Sequence, residues 1–251
     1  MTYVTYLLRS LYGVYALLVF TICALAAFLA TVLVPHAALR HQLAAWATRA
    51  IFILAGVPAR TRGMENIPDG NAVVVANHAS YVDGFLLKAY LPHRFSFVIK
   101  GEMRDIPLVH FLLRRSGAKF VERFEASGSA RDARQIVKAA QTGASLAFFP
   151  EGTFIHEPGV DRFRAGAFVS AIRGNMPVIP VAISGTREML PAGRLLPWPV
   201  RPQFEVLAPI TPDDPAFENH RLLAETARQR ILAVLDEPDL CKVSDKSFNG
   251  D

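Results

Sequence analysis

Cysteine is scarce in this chain: there are two in 251 residues, Cys23 inside an apolar run and Cys241 near the C-terminal end. A disulfide framework is therefore not expected, and a reducing compartment is allowed. Charge is thin as well, with Asp, Glu, Lys and Arg at 20% against 51% hydrophobic residues. That balance is apolar for a soluble protein. A Gly-rich phosphate loop and a Gly-x-Ser-x-Gly elbow are both missing, which sets aside nucleotide-binding loops and the elbow geometry of serine hydrolases. No repeat or low-complexity segment is present, and the length suits one full domain with an accessory segment.

The sharpest local absence is charge between residues 11 and 34, LYGVYALLVFTICALAAFLATVLV. As a helix this run is about 36 Å long, enough to cross a hydrocarbon core of about 30 Å. Tyr3, Tyr6, Tyr12 and Tyr15 lie near one end, where polar-tipped rings favour a membrane interface. A signal peptide's apolar core, about 7 to 15 residues, is shorter than this. Beyond Pro35, residues 36–58 are apolar again, with Arg40, Arg49 and Arg60 interrupting or flanking them. They fit either an interfacial helix with snorkelling arginines or an ordinary amphipathic helix packed on the domain. Residues 11–57 can thus make one span or a hairpin. The net charge of +5 and pI near 9.4 come without aromatic-interleaved basic stripes or zinc spacing. Nucleic acid is not the expected partner; an anionic phospholipid surface is.

After residue 58 the texture changes. AVVVA (72–76), FSFVI (95–99), AKFV (118–121), SLAFF (145–149), VIPVAI (178–183) and QFEVL (203–207) read as strands, and their near-continuous hydrophobicity predicts a sheet covered on both faces. Residues 83–90, 107–116, 128–142, 164–174 and 216–236 read as helices. The expected fold is α/β, with a mixed, largely parallel sheet between helices and an N-terminal membrane helix or helical hairpin. The expected organisation is 1–57 membrane-associated, 58–236 catalytic, and 237–251 a polar disordered tail.

Polar residues gather where the strands end. NHASYVD (77–83) follows one strand, PEGTF (150–154) a second, and Glu122-Arg123 a third. Ligand sites in α/β sheets lie at the carboxyl ends of strands, so parallel neighbours would bring these sets together. A bland reading runs alongside: Asn77 and Ser80 as turn and cap residues, Asp83 as a first-turn charge, and PEGT as a tight turn with Thr153 as a helix cap. The chemical reading is a His–carboxylate pair that deprotonates a hydroxyl supplied by the substrate, since no enzyme nucleophile is suitably placed.

Four ordered motifs favour the chemical reading. Asn77, His78 and Asp83 form Asn-His-x4-Asp; Gly117, Phe120 and Arg123 form Gly-x-x-Phe-x-x-Arg; Phe149 to Thr153 form Phe-Pro-Glu-Gly-Thr, followed by FRAGAF (163–168); and VIPVAISG (178–185) is an apolar strand with proline. Together, over about residues 60–210, they make the chain resemble the glycerolipid acyltransferases that include 1-acyl-glycerol-3-phosphate acyltransferases. The resemblance implies acyl transfer from acyl-CoA or acyl carrier protein to a lysophospholipid hydroxyl. His78 is then the base and Asp83 its orienting carboxylate. Asn77, Glu151, Gly152 and Thr153 shape the acceptor site, and Lys100, Arg123 and Arg164 meet phosphate. It implies no metal or cofactor. The expected place is the inner membrane, and the more numerous arginines that follow the apolar run favour a catalytic domain facing the cytoplasm. One position departs from the pattern: the family often has Arg after Glu-Gly-Thr, where this chain has Phe154. That departure leaves the acceptor headgroup open, so another lyso-lipid stays an alternative. Two other classes stand apart from it: a hydrolase, in which water replaces the lipid hydroxyl, and a non-catalytic binding protein, against which the intact His78, Asp83 and Glu-Gly-Thr argue.

Overall fold

Helices α1 (Tyr3–Leu33) and α2 (Ala37–Leu54) come first in the chain. The structure, a computed structural model, describes residues 3–100, 105, 110–111, 115, 119–121, 126–154 and 157–242. Pro35 accounts for the end of α1, because a proline disfavours helix at the residue before it and offers no N–H. α2 ends in a Schellman turn: Gly56 has φ +76°, Val57 N–H donates to Phe52 O and Gly56 N–H to Ile53 O. The two helices form an antiparallel hairpin. The Tyr12 hydroxyl donates to Ala55 O at 3.0 Å and the Tyr15 hydroxyl to Leu54 O at 2.7 Å. Tyrosines from the start of α1 thereby satisfy carbonyls that the end of α2 would leave without partners.

By their contacts the residues divide into two compact units. One comprises Met1–Thr61, Ala79–His93 and Ile183–Phe204; the other comprises Arg62–His78, Arg94–Ala182 and Glu205–Asp251.

In the first unit the hairpin is joined by α3 (Val82–Tyr90) and by the short helix α6 (Thr186–Met189). Phe85 of α3 sits edge-on to Phe20 of α1, with centroids 5.3 Å apart. Arg49 of α2 donates from Nε to Ala89 O at 2.5 Å and lies over the Tyr90 ring. Of the two readings of α2, this arginine follows the packed one, serving the end of α3. α1 passes so close to Leu196 that a Cβ on Gly13 would lie 2.7 Å from Leu196 Cβ. Arg9 and Arg194 both stack on Trp198, at 4.3 and 3.9 Å from the ring centroid. Much of α1 stays uncovered, including Leu11, Val14, Leu18, Ile22, Leu25 and Leu33.

The second unit is organised by the sheet. The strands are β1 (Arg60–Arg62), β2 (Val73–Ala76), β3 (Ser96–Lys100), β4 (Lys119–Val121), β5 (Leu146–Phe148), β6 (Val178–Ser184) and β7 (Gln203–Val206). β2 to β5, and β6 as far as Ala182, fall wholly in this unit. Arg60 and Thr61 of β1, Ile183 and Ser184 of β6, and Gln203 and Phe204 of β7 count with the first. Their order across the sheet is β1-β7-β6-β2-β5-β3-β4. β2 runs parallel to β5 and β6, and β3 runs parallel to β5 and β4. Residues 207–210 return antiparallel: Leu207 N–H donates to Pro180 O, and Val178 and Ile210 exchange both backbone bonds. The sheet is therefore mixed and largely parallel. All four β2 residues are fully buried; since successive side chains point to opposite faces, the strand is covered on both sides. The core is completed by Ile136 and Ala140 of α4 (Ala126–Gln141), Phe168 and Ala171 of α5 (Gly166–Gly174), and Leu223, Ala227 and Ile231 of α7 (His220–Leu232).

All six expected strands are present within a residue or so of their expected bounds. β1 was not expected, because Arg-Thr-Arg is exposed and carries no apolar signal. The expected helix at 107–116 lies mostly outside the described residues. The last helix is shorter than the pattern suggested: Pro215–Glu218 forms a separate 3-10 turn capped by Asp214, and α7 ends at Leu232. Residues 237–242 pair with the loop after β5 through a parallel bridge between Val160 and Asp239; residues 243–251 lie outside the described part.

Candidate active site

The turn after β2 and the turn after β5 sit at the carboxyl ends of adjacent parallel strands. β2 delivers the buried Asn77 and the half-buried His78. β5 ends one residue earlier than the apolar run suggests, at Phe148, which leaves Phe149 outside the strand. The Phe149 ring stacks on the His78 imidazole, with centroids 4.1 Å apart and planes 14° apart. Phe154, four residues past the proline, meets the same imidazole edge-on at 4.7 Å and 68°. The position where the family often has a guanidinium thus presents an apolar ring to the histidine.

Glu151 is buried, with 6% of its surface exposed. Its carboxylate spans two backbone donors: His78 N–H reaches Oε1 at 2.7 Å and Asp161 N–H reaches Oε2 at 3.0 Å. Burial pushes the Glu151 carboxyl up to about 7; the two N–H bonds pull the other way, and the nearby Asp161 and Glu237 carboxylates add to the rise. Gly152 has φ +90°, a left-handed conformation that favours glycine, and its N–H donates to Phe149 O at 3.0 Å. Thr153 is exposed in a bend rather than capping a helix. Arg164 is exposed, and its N–H donates to Pro150 O at 2.9 Å, closing the loop back onto the turn.

The second half of NHASYVD belongs to the helical unit. Asp83 is fully buried in the first turn of α3. Its Oδ2 accepts from Ala79 N–H and Ser80 N–H, each at 2.7 Å. The Ser80 hydroxyl donates to Leu190 O at 2.6 Å and accepts from Val82 N–H at 3.2 Å. The bland reading of Ser80 and Asp83 as turn and helix-start residues is therefore correct as local structure. It does not compete with a chemical role, because a carboxylate fixed by two donors is also one whose orientation is set.

Of the expected residues, the structure draws Asn77, His78, Glu151 and Gly152 to the ends of two neighbouring strands. Lys100 is the last residue of β3, with its side chain outside the described part, and Arg123 lies outside the described residues. Two contributions escaped the sequence. Phe149 was named in the third motif and read as the end of a strand, but its ring contact with His78 was not foreseen; Asp161 acts through its backbone, which leaves no side-chain signal. The Phe-Pro boundary was the available clue to the first, since a residue before proline is restricted.

Fold and turns together define an α/β protein that holds a histidine in a braced turn at the carboxyl end of a central parallel strand. Residues 59–184, half of the chain, match the acyltransferase family, and the chain belongs to that family. It is 30% identical over 134 residues to a chloroplastic 1-acyl-sn-glycerol-3-phosphate acyltransferase of Brassica napus, covering 53% of this chain and 39% of that protein. It is 32% identical over 154 residues to the lyso-ornithine lipid O-acyltransferase of Pseudomonas aeruginosa, covering 61% of this chain and 57% of that one. The chain therefore spans about half the length of these relatives. The solved 1-acyl-sn-glycerophosphate acyltransferase PlsC of Thermotoga maritima superimposes with a TM-score of 0.70 at 24% identity, covering 89% of this chain and 94% of that one. At that identity the likeness speaks for the fold.

Proposed function

We propose that the protein is a membrane-associated acyltransferase acting on a lysophospholipid hydroxyl, with the sn-2 position of 1-acyl-glycerol-3-phosphate as its acceptor and acyl-CoA or acyl carrier protein as its donor. The observation that carries the reading is His78, held by its backbone to Glu151 and by its ring against Phe149, in the Asn-His-x4-Asp spacing that the sequence shares by resemblance and within the residues that match the acyltransferase family. In the proposed step His78 takes the proton from the acceptor hydroxyl as its oxygen attacks the thioester carbonyl. The tetrahedral oxyanion collapses, the carbon–sulfur bond breaks, and His78 returns the proton to the departing thiolate. Asp83 is the proposed orienting carboxylate and does not itself take the proton. Lys100, Arg123 and Arg164 are the proposed phosphate contacts. The 31-residue apolar helix α1 supplies the proposed membrane attachment, on its length and composition.

Phe154 favours a second acceptor class. An apolar ring edge against the imidazole gives a phosphate dianion no return for the water it loses, and one relative carries the name of a lyso-ornithine lipid acyltransferase. A panel of lyso-lipids with one labelled acyl-CoA, read as phospholipid formed against free fatty acid released, tests the reaction and separates transfer from hydrolysis. His78→Ala is expected to cost about 10² to 10⁴ in rate; a loss below about tenfold would sink the assignment. Arg164→Ala decides the acceptor. A raised KM for lysophosphatidic acid supports the phosphate reading, whereas little change together with better turnover of a phosphate-free lyso-lipid supports the second.

A further inference from the structure

We propose that Glu151 is a positioning residue for His78, rather than a contact for the acceptor lipid, and that the C-terminal residues 237–242 hold the far end of the same brace. The inference deepens the reading of His78 as the base and rests on it.

The near end is the carboxylate itself. Each oxygen is engaged by one backbone N–H, from His78 on one side and Asp161 on the other. The far end is a charged hub. Asp161 O accepts from Arg228 Nε at 3.1 Å, and Arg228 is 1% exposed. Its guanidinium pairs with Glu225 at 3.0 Å and with Asp239. Three backbone donors lock the segment alongside: Gly159 N–H to the Glu237 carboxylate at 2.8 Å, Val160 N–H to Pro238 O at 3.0 Å and Leu240 N–H to Val160 O at 3.3 Å. A continuous path therefore runs from α7 and the segment after it, through the 159–161 loop and Glu151, to the amide of the histidine. Glycine is required where the path bends: Gly159 has φ +138°, and a Cβ there would lie 2.5 Å from Leu240 Cγ.

The consequence for chemistry is geometric. Loosening the brace shifts the imidazole without removing any group that binds the lipid, and a misplacement of about 1 Å costs about 10²-fold in rate. Glu151→Gln keeps the size but converts one oxygen into a group that cannot accept, so one of the two N–H donors loses its partner. In the full chain, kcat is expected to fall by about 10²-fold with KM for the acceptor unchanged. Amide exchange is expected to rise together in peptides covering 76–79 and 159–162 while the interior of β5 stays protected. Asp239→Asn leaves Glu151 in place and loosens only the far end. It should raise exchange at 159–162 and lower kcat by less, again at constant KM. A raised KM with kcat kept, or unchanged exchange at 76–79 in Glu151→Gln, overturns the proposal. If the wild type acylates no lyso-lipid, the reading of the reaction fails, and the exchange experiment still decides whether the brace exists.

Discussion

At the residue scale, Glu151 sits between opposing influences whose balance has a measurable sign. Burial disfavours its charge and lifts the carboxyl to about 7, from 4.5 in an unstructured chain. At pH values between those two, the folded protein keeps a proton that the unfolded chain has lost. Stability contributed by this group therefore falls as pH rises through that window, with no difference below it and the full penalty, about 3 kcal/mol, above it. Glu151→Gln removes the titration. Denaturant unfolding at about pH 5 and about pH 7.5 should show the wild type losing more stability than Glu151→Gln over that interval; parallel losses would mean the carboxyl is not raised. Phe154 belongs to the same scale. It is the position where the chain departs from the motif it otherwise resembles, and its ring lies edge-on to His78, so the departure is seated at the candidate site rather than on a distant surface.

At the element scale, the helical hairpin is held by contacts that its hydrophobicity does not announce. Gly13 lies inside α1, where a free helix would gain about 1 kcal/mol from Gly→Ala. Here the added Cβ would meet Leu196 Cβ at 2.7 Å and Pro197 O at 3.2 Å, so Gly13→Ala should lower the melting temperature of the full chain in detergent. A rise would mean α1 is not seated on the 195–197 segment. The same contrast explains what could be read from the sequence. β2 and β6 were legible because near-continuous apolar runs rich in valine and isoleucine suit a strand buried on both faces of an α/β domain. β1 was not, because three exposed residues with two arginines owe their extended form to backbone pairing alone, such as Arg60 N–H to Pro202 O. Tyr12 and Tyr15 could be expected at an interface from their type and place, but not as caps for α2, because the partner carbonyls lie 43 and 39 positions away. The candidate site divides likewise. His78, Asp83 and Glu151 stood out by type and spacing, whereas the link between Glu151 and the histidine runs through main-chain amides that any residue could supply.

At the scale of the whole molecule, the net charge of +5 is unevenly held. The unit containing the hairpin, α3 and the 183–204 segment has Arg9, Arg40, Arg49, Arg60, Lys88, Arg187, Arg194 and Arg201 against Asp83 and Glu188 only. The entire positive excess therefore belongs to the unit that also carries the uncovered apolar helix. Arg9 and Arg194 flank Trp198 within that unit, and Arg9 lies two residues before the uncharged run begins. An apolar segment with a basic border is the pattern of a protein drawn to anionic lipid by charge and retained by burial of hydrocarbon. The two contributions separate experimentally, since charge is screened over about 8 Å at physiological salt and apolar burial is not. Binding to vesicles containing phosphatidylglycerol should exceed binding to neutral phosphatidylcholine vesicles. The difference should shrink with added salt toward a residual shared by both. Each basic residue near the surface is worth about 1 kcal/mol, so replacing Arg9 and Arg194 with Gln should weaken the anionic preference by about tenfold or more while leaving the salt-resistant part unchanged. Equal binding to the two vesicle types at low salt would show that the basic excess serves packing within the unit, as Arg49 does at the end of α3, and not recognition of lipid.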